Sequence, residues 1–370
     1  MAHYIKSLEI RGFRTLSSLN IAKIGSVNLI TGKNNSGKSS VLEAIRILVG
    51  SGSVRTLAEI LRYREELFFK RNEEVDAIQP TDVTPISNLF TGFSSAESGE
   101  AEFSISNNAD SEGLFGEVKV SLALYHRRVK DERFLYTEAK PGEAFADGER
   151  VPALAIRVNR TRRIVPIARF QSRALSEIDD QKIPCVYVDP FSSRSTNEMG
   201  ALWDSIALTD LEFEIVEALK IVSNDILGVS MIGGGGGHGT RTAIAKSALY
   251  RSPVPLRTFG DGVNRLFGII LSLCAAKGGI LLIDEIENGL HHSAQLKIWR
   301  TIFRLAETLG VQVFATSHSY DCVQAFQEAA TESPSLGALF RLSRLKERII
   351  STSFTELELQ IATRDQIEVR

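Results

Sequence analysis

Apolar and polar residues alternate from Tyr4 to Arg11 and again from Leu19 to Ile24, with Gly12-Phe13-Arg14-Thr15 between them. That pattern predicts two strands joined by a short connection and leading into a third, Val27-Asn28-Leu29-Ile30-Thr31. The period then changes. Val41, Leu42, Ala44, Ile45 and Leu48 fall at helical spacing before Gly50, the stripe of a helix that a glycine stops. Val54 to Val75 is charged, with Leu57, Ile60, Leu61, Leu67 and Phe68 as a second helical stripe. Gln79 to Glu112 reads as loops around short elements. Alternation returns at Val118, Val120, Leu122 and Leu124. Arg133 to Glu138 and Leu154 to Val158 extend an antiparallel sheet around the turn-rich Pro141 to Gly148.

In the second half, Pro184 to Asp189 reads as a short buried strand and Ser192 to Thr196 as a loop. A helix is predicted from Leu208 to Val222, capped by Thr209-Asp210 with Glu212 in its first turn. Five glycines, Gly233 to Gly237, lack a lysine and a strand-to-helix setting, so they read as a hairpin tip. Ile280 to Ile283 and Val311 to Thr316 are unbroken apolar runs, as in strands of a parallel sheet covered on both faces. An apolar helix spans Leu266 to Ala276, and the tail from Ile349 to Arg370, with Glu356 and Glu358, suggests a closing strand or two and a short helix.

Composition narrows the classes. With 370 residues and 43% hydrophobic content, the chain holds two lobes or one large domain with an insertion. The net charge of −2 gives no global basic field. Positive charge gathers locally at Arg127, Arg128 and Lys130, then at Arg157, Arg160, Arg162, Arg163, Arg169 and Arg173. That stretch serves nucleic acid or an acidic partner, or else is a solvated sheet face balanced by Asp131, Glu132 and neighbouring acids. Cys185, Cys274 and Cys322 lie far apart beside apolar runs, as buried thiols of a reducing compartment do. The N-terminus lacks a signal-peptide core, and the longest apolar run, near Phe267 to Leu273, is too short to span a bilayer. A soluble, cytoplasmic chain without a membrane partner is expected.

Gly32 to Ser39, GKNNSGKS, satisfies the P-loop pattern. In such a loop backbone amides cradle phosphate oxygens, the lysine (Lys38) reaches the terminal phosphates, and the hydroxyl (Ser39) binds magnesium. The strand before it and the helix after it are the setting this pattern requires, and the helix N-terminus adds its partial positive charge. Nucleotide-contacting candidates are therefore Gly32, Asn34, Asn35, Ser36, Gly37, Lys38, Ser39 and Ser40. Asp284 and Glu285 end the Ile280 strand, where open α/β sheets bind ligands. Asp284 is placed to hold Mg2+, and Glu285 to polarise a water for in-line attack. His318, at the end of the Val311 strand, is a candidate to contact the terminal phosphate or orient that water. His291 and His292 are adjacent, a poor spacing for a shared metal. Thr258 to Phe267 places a glycine turn at a helix start, a second anion-binding construction.

The blocks IRGFRTL, GKNNSGKSS, FGDGVNRL, LLIDEIENGLHHS and FATSHSYD, in this order, resemble an ABC-type ATPase of the RecF/SMC/OLD group, and within it the OLD-like ATPases without a Toprim domain. The resemblance implies an α/β P-loop fold, an ABC-type head with a mixed sheet. Residues 1–53 and 255–370 would form the nucleotide-binding core, and 54–254 an inserted β-rich and helical lobe. Lys38 and Asp284 are indeed separated by far more chain than one βαβ unit needs. The resemblance further implies ATP and Mg2+ as cofactors and two heads sandwiching ATP in a homodimer or higher oligomer. Gly260, Asp261, Gly262 and Arg265 would serve the partner's nucleotide, with Glu285 as base, His318 as phosphate sensor and Arg14 near the phosphates of its own subunit. Many relatives carry serine where this chain has Asp261, and a carboxylate facing a triphosphate is repulsive. Either the glycine amides act alone there or the alignment shifts by a residue or two.

The leading expectation is an ATPase whose nucleotide state controls dimerisation and a separate effector, such as a nuclease or toxin-like protein, in anti-phage defence or DNA repair. A non-hydrolysing nucleotide-gated scaffold and a DNA-binding SMC/RecF-like sensor are the alternatives. No Asp-x-Asp pair is present and few residues follow His318, which argues against a built-in nuclease; a missing Leu-Ser-Gly-Gly-Gln argues against a transporter subunit. ATP is favoured over GTP because no guanine-reading Asn-Lys-x-Asp or Thr-Lys-x-Asp motif occurs.

Overall fold

The computed structural model describes residues 3–66, 84–93, 101–107, 114–130, 133–139, 149–171, 182–190, 196–233, 241–333, 336–346, 348–354 and 358. Leu67, Phe68, Asp131, Glu132, Arg173, Glu356, the Pro141 to Gly148 turn, Gly234 to Gly237 and most of the Ser192 loop lie outside them. In chain order the elements are β1 (Leu8–Phe13), β2 (Leu16–Ile21), β3 (Val27–Thr31), α1 (Lys38–Val49), α2 (Val54–Tyr63), α3 (Thr84–Ser87), β4 (Ala101–Ser106), β5 (Val118–Lys130), β6 (Arg133–Glu138), β7 (Glu149–Val158), β8 (Thr161–Pro166) and β9 (Cys185–Val188). Then come α4 (Thr196–Asp204), α5 (Asp210–Leu219), β10 (Ile226–Gly233), β11 (Arg241–Ser247), β12 (Val254–Pro255), α6 (Asp261–Ala275), β13 (Ile280–Ile283), α7 (His292–Leu309), β14 (Gln312–Ser317), α8 (Tyr320–Glu332), β15 (Gly337–Leu345) and β16 (Arg348–Phe354).

The central sheet runs β16-β15-β3-β14-β13-β9. Its strands from β15 to β9 are parallel, and β16 closes the edge antiparallel to β15. Every residue of β3, β13 and β14 is buried, as their unbroken apolar runs predict for a sheet covered on both faces. Leu281, Ile283, Val313 and Ala315 face a core with α6, α7 and α8. Ile280, Leu282 and Phe314 face the opposite core with α1 and the N-terminal strands. Two buried amides tie the ends of this sheet. Asn28 accepts from Gly25 N–H and donates to Gly25 O and Val313 O. Gln312 accepts from Ile5 N–H and donates to Ile5 O and Gly25 O.

Strand pairing crosses the expected lobe boundary at residue 54. β4, β5, β7 and β8 continue the sheet that β1 and β2 begin, in the order β2-β1-β4-β5-β7-β8, with β6 pairing β5. β9 enters the central sheet beside β13. The reason is hydrogen bonding: β1 and β2 alone would leave an unpaired edge, and a lone hairpin is marginal, so β4 pairs with β1 and carries the sheet onward. Three arginines of the basic stretch in the middle region are engaged within the chain. Arg162 donates to Tyr125 Oη and Glu138 Oε2, Arg163 to the carbonyls of Ser51 and Gly52, and Arg127 lies over the Phe134 ring.

Helix starts follow their capping residues. Thr209 caps α5 by accepting from Leu211 N–H, and His291 caps α7 through Ser293 N–H. α6 begins at Asp261, five residues before the apolar stripe that marked it in the sequence. The three cysteines are unpaired, and burial pushes each thiol up to about 12. Among the described residues no helix is long and apolar enough to cross a membrane.

Candidate nucleotide site

The loop after β3 turns on glycines that no other residue replaces without a clash. Gly32 has φ 146°, and a Cβ there would lie 2.4 Å from Leu342 O and 2.6 Å from Ser36 Oγ. Gly37 has φ 87° and ends the loop as the N-cap residue of α1. Its amide-rich turn, at a helix start without a side-chain cap, leaves donors for an anion. Ser36 Oγ is buried and meets no hydrogen-bond partner among the described residues, as suits a hydroxyl kept for a ligand oxygen. Lys38 is folded over the loop, its Nζ donating to Gly32 O (2.8 Å) and Lys33 O (3.0 Å). Burial pulls its ammonium below the ordinary lysine value, while Asp284, Glu285 and Glu287 push it back up.

A cavity of about 730 Å³ opens over this loop. Asn34, Asn35, Ser36, Gly37, Lys38, Ser39 and Ser40 line one side, Arg14 and Glu285 others. The size suits a nucleotide-sized ligand. Arg64, Glu66, Asn88, Phe90, Arg344 and Ile349 also line the cavity. None of the six carries a local sequence signal, since each reaches the cavity from an element remote in sequence from the P-loop.

Asp284 and Glu285 sit at the C-terminal end of β13 and differ in setting. Asp284 is buried, takes the Thr316 hydroxyl proton on Oδ1 and meets Tyr187 Oη–H at Oδ2 (3.3 Å). Glu285 has φ 46°, donates its N–H to Thr316 Oγ1 (2.8 Å), and accepts from Asn288 Nδ2 at Oε2 (2.7 Å). Thr316 thus serves both carboxylate residues at once, a relay with no sequence signal beyond its place at the end of β14. Tyr187 comes from β9, with the Arg46 guanidinium 4.8 Å above its ring.

His318 N–H donates to Glu287 Oε1 (2.8 Å) and its Nδ1 lies 3.1 Å from the same oxygen. Its ring is 43% exposed and is not part of the cavity wall. Arg14 reaches the wall, but its guanidinium is held by Glu43 and Glu66. Gly260 and Asp261 are exposed at the start of α6, and a Cβ on Gly262 would meet Gly289 O at 2.8 Å. The carboxylate of Asp261 stands in the first turn of α6, where it favours the helix dipole. Arg265, expected beside a partner's nucleotide, is turned inward. It is buried, and donates to the carbonyls of Asp189, Asp284 and Glu285 within its own chain. A guanidinium so placed braces the turn after β13.

Hydroxyl and carboxylate oxygens are the donor types that magnesium takes. Ser39 offers a hydroxyl at the start of α1 and Asp284 a carboxylate; among the described residues no group of three or more acids, histidines or cysteines is arranged to hold a metal ion by itself. Mg2+ takes one or two protein ligands and completes its shell with water and phosphate.

The family described as "AAA domain, putative AbiEii toxin, Type IV TA system" matches residues 27–321. A Helicobacter pylori protein named "ATP/GTP phosphatase" is 24% identical over 348 residues, covering 89% of each chain. A "DNA replication and repair protein RecF" of Caldanaerobacter subterraneus is 39% identical over 70 residues, 18% of this chain and 19% of that one. Among solved structures, an SMC head bound to the C-terminal winged-helix domain of ScpA superposes with a TM-score of 0.53 at 15% identity, covering 95% of this chain and 98% of that one. An SMC head from Pyrococcus furiosus, also bound to ScpA, gives 0.50 at 13% identity over 98% and 99%. Such identities speak for the fold alone, and the fold is the P-loop ATPase head of ABC type. By its match over most of its length, the chain belongs to the AAA-domain family so described.

Proposed function

We propose that this chain binds ATP with Mg2+ and hydrolyses it, and that bound ATP joins two copies into a state that controls a separate effector protein. The observation that carries the reading is Glu285, which reaches the cavity over the P-loop from the end of β13. The loop amides and Lys38 bind the phosphates. Lys38 would exchange its two loop carbonyls for phosphate oxygens, which compensate better for its buried charge. Glu285, steadied by Asn288, orients a water and takes its proton as the oxygen attacks the terminal phosphorus. The bond from that phosphorus to the bridging oxygen breaks, leaving ADP and phosphate. Ser39 and Asp284 would hold Mg2+, which supplies neutralisation of the phosphate charge. His318 is held by Glu287 and would have to turn toward the cavity to contact the terminal phosphate.

ATP-dependent pairing draws support from the exposed turn at Gly260 and Asp261 and from exposed Leu249 and Tyr250, the latter packed edge-on against Phe259. Gly260 N–H donates to Arg257 O, so the amides of Asp261 and Gly262 at the start of α6 would be the ones to meet a second copy's nucleotide. An effector such as a nuclease or toxin, and a cytoplasmic place in anti-phage defence or DNA repair, follow by analogy with the family description and with RecF. The engagement of Arg162 and Arg163 within the chain favours a protein partner over nucleic acid.

Glu285→Gln and Lys38→Ala test the reading. The first is expected to retain ATP and lose turnover by about 100-fold or more, and the second to lose ATP binding, in calorimetry and phosphate-release assays with ATP and GTP in parallel. Full turnover by Glu285→Gln would reassign the base. Absence of turnover in the wild type, with ATP bound, would favour the nucleotide-gated scaffold.

A further inference from the structure

Two arginines and two glutamates meet on one wall of the cavity. Arg14, in the β1–β2 turn, places Nε 2.6 Å from Glu43 Oε2, a close ion pair rather than an aligned hydrogen bond, and its two terminal nitrogens donate to Glu66 at 2.9 and 3.0 Å. Arg64 donates Nε to the other Glu43 oxygen at 2.6 Å. Glu43 is the buried centre of this group, its side chain 5% exposed, whereas Glu66 is 17% exposed and lines the cavity with both arginines.

The two carboxylates have different standing. Glu43 lies within α1 and bridges both guanidiniums, so it stays whatever enters. Glu66 presents a planar pair of oxygens in the two-pronged geometry that guanidinium offers equally to phosphate. It is held there by the end of α2: Glu65 adopts φ 56°, and Glu66 N–H donates to Leu61 O at 2.8 Å. This is the left-handed helix stop usually made by glycine, here made by a glutamate. A fixed carboxylate in a cavity built for polyphosphate repels the ligand and occupies its cation. If it leaves, Arg14 keeps Glu43 as counter-ion, and the group of two arginines and one glutamate turns net positive.

We infer that Glu66 is a built-in competitor for the nucleotide: its carboxylate holds Arg14 until phosphate oxygens replace it, and Arg64 then joins Arg14 as a second phosphate-facing cation. The inference rests on the nucleotide reading of the cavity. It makes ATP affinity a difference between two occupants of one guanidinium, so weakening the internal one tightens the external one.

Calorimetry of Mg2+ and ATP with the full chain and its Glu66→Gln variant tests this. The variant keeps the shape and loses the charge; its ATP Kd is expected to fall about tenfold, equivalent to about 1.4 kcal/mol, with adenosine binding unchanged. In an Arg14→Ala background the same change is expected to gain less than about threefold. Glu66→Asp, one methylene short of Arg14, is expected to fall between, and serves if Glu66→Gln does not fold. Equal or weaker ATP binding by the folded Glu66 variants, with tight wild-type binding, overturns the inference alone. A tenfold gain that survives Arg14→Ala overturns it too, by showing plain repulsion. No ATP binding by the wild type would instead remove the nucleotide reading beneath it.

Discussion

Glu285 holds a backbone conformation, φ 46°, that residues other than glycine rarely adopt. Such positions persist when neighbours over-determine them, and Thr316 is that neighbour. Its hydroxyl accepts from Glu285 N–H and donates to Asp284. Thr316→Val keeps the shape and removes both bonds. It is expected to cost about 1–3 kcal/mol in urea denaturation and to lower turnover more than ATP affinity, read as a fall in kcat with little change in KM. At this scale the P-loop residues were legible because the chemistry demands fixed spacing. Thr316, Tyr187, Arg64 and Glu66 were not, because each acts through partners remote in sequence. Arg265 misled for the same reason: its place beside the glycine turn was readable, its inward orientation was not.

Among the elements, β3, β13 and β14 were readable as short apolar runs because burial on both faces removes alternation. The connection between β1 and β2 is shorter than the sequence suggested. Gly12 and Phe13 belong to β1, and a Cβ on Gly12 would meet Glu102 O at 2.4 Å, a close approach that only the neighbouring β4 reveals. α6 starts earlier than its apolar stripe because its first turn is polar and exposed at the glycine turn. Gln312, wholly buried in β14, joins the N-terminal segment and the β3 approach to the central sheet. Gln312→Ala leaves buried backbone groups without partners and is expected to cost about 2–4 kcal/mol. Chemical denaturation reads the loss, and faster amide exchange at Ile5 localises it.

For the whole molecule, alternation told which face of a strand is buried but not which strand it pairs with. The resemblance implied a lobe inserted at 54–254; in the fold β4 through β8 continue a sheet begun at the N-terminus and β9 closes the central sheet. Asp284 depends on that arrangement, since its N–H donates to Val188 O at the end of β9 and Tyr187 reaches its carboxylate from the same strand. The cavity over the P-loop is lined by Lys38, Arg14 and Glu285, and the glycine turn of α6 lies on the exposed surface. The central claim is that ATP occupies this cavity and that a second copy closes it. Sedimentation velocity of Glu285→Gln, with and without Mg2+ and ATP, tests it most directly. A monomer that becomes a dimer only when ATP is bound is the predicted result; ATP bound at full occupancy to a chain that stays monomeric across micromolar concentrations would contradict it.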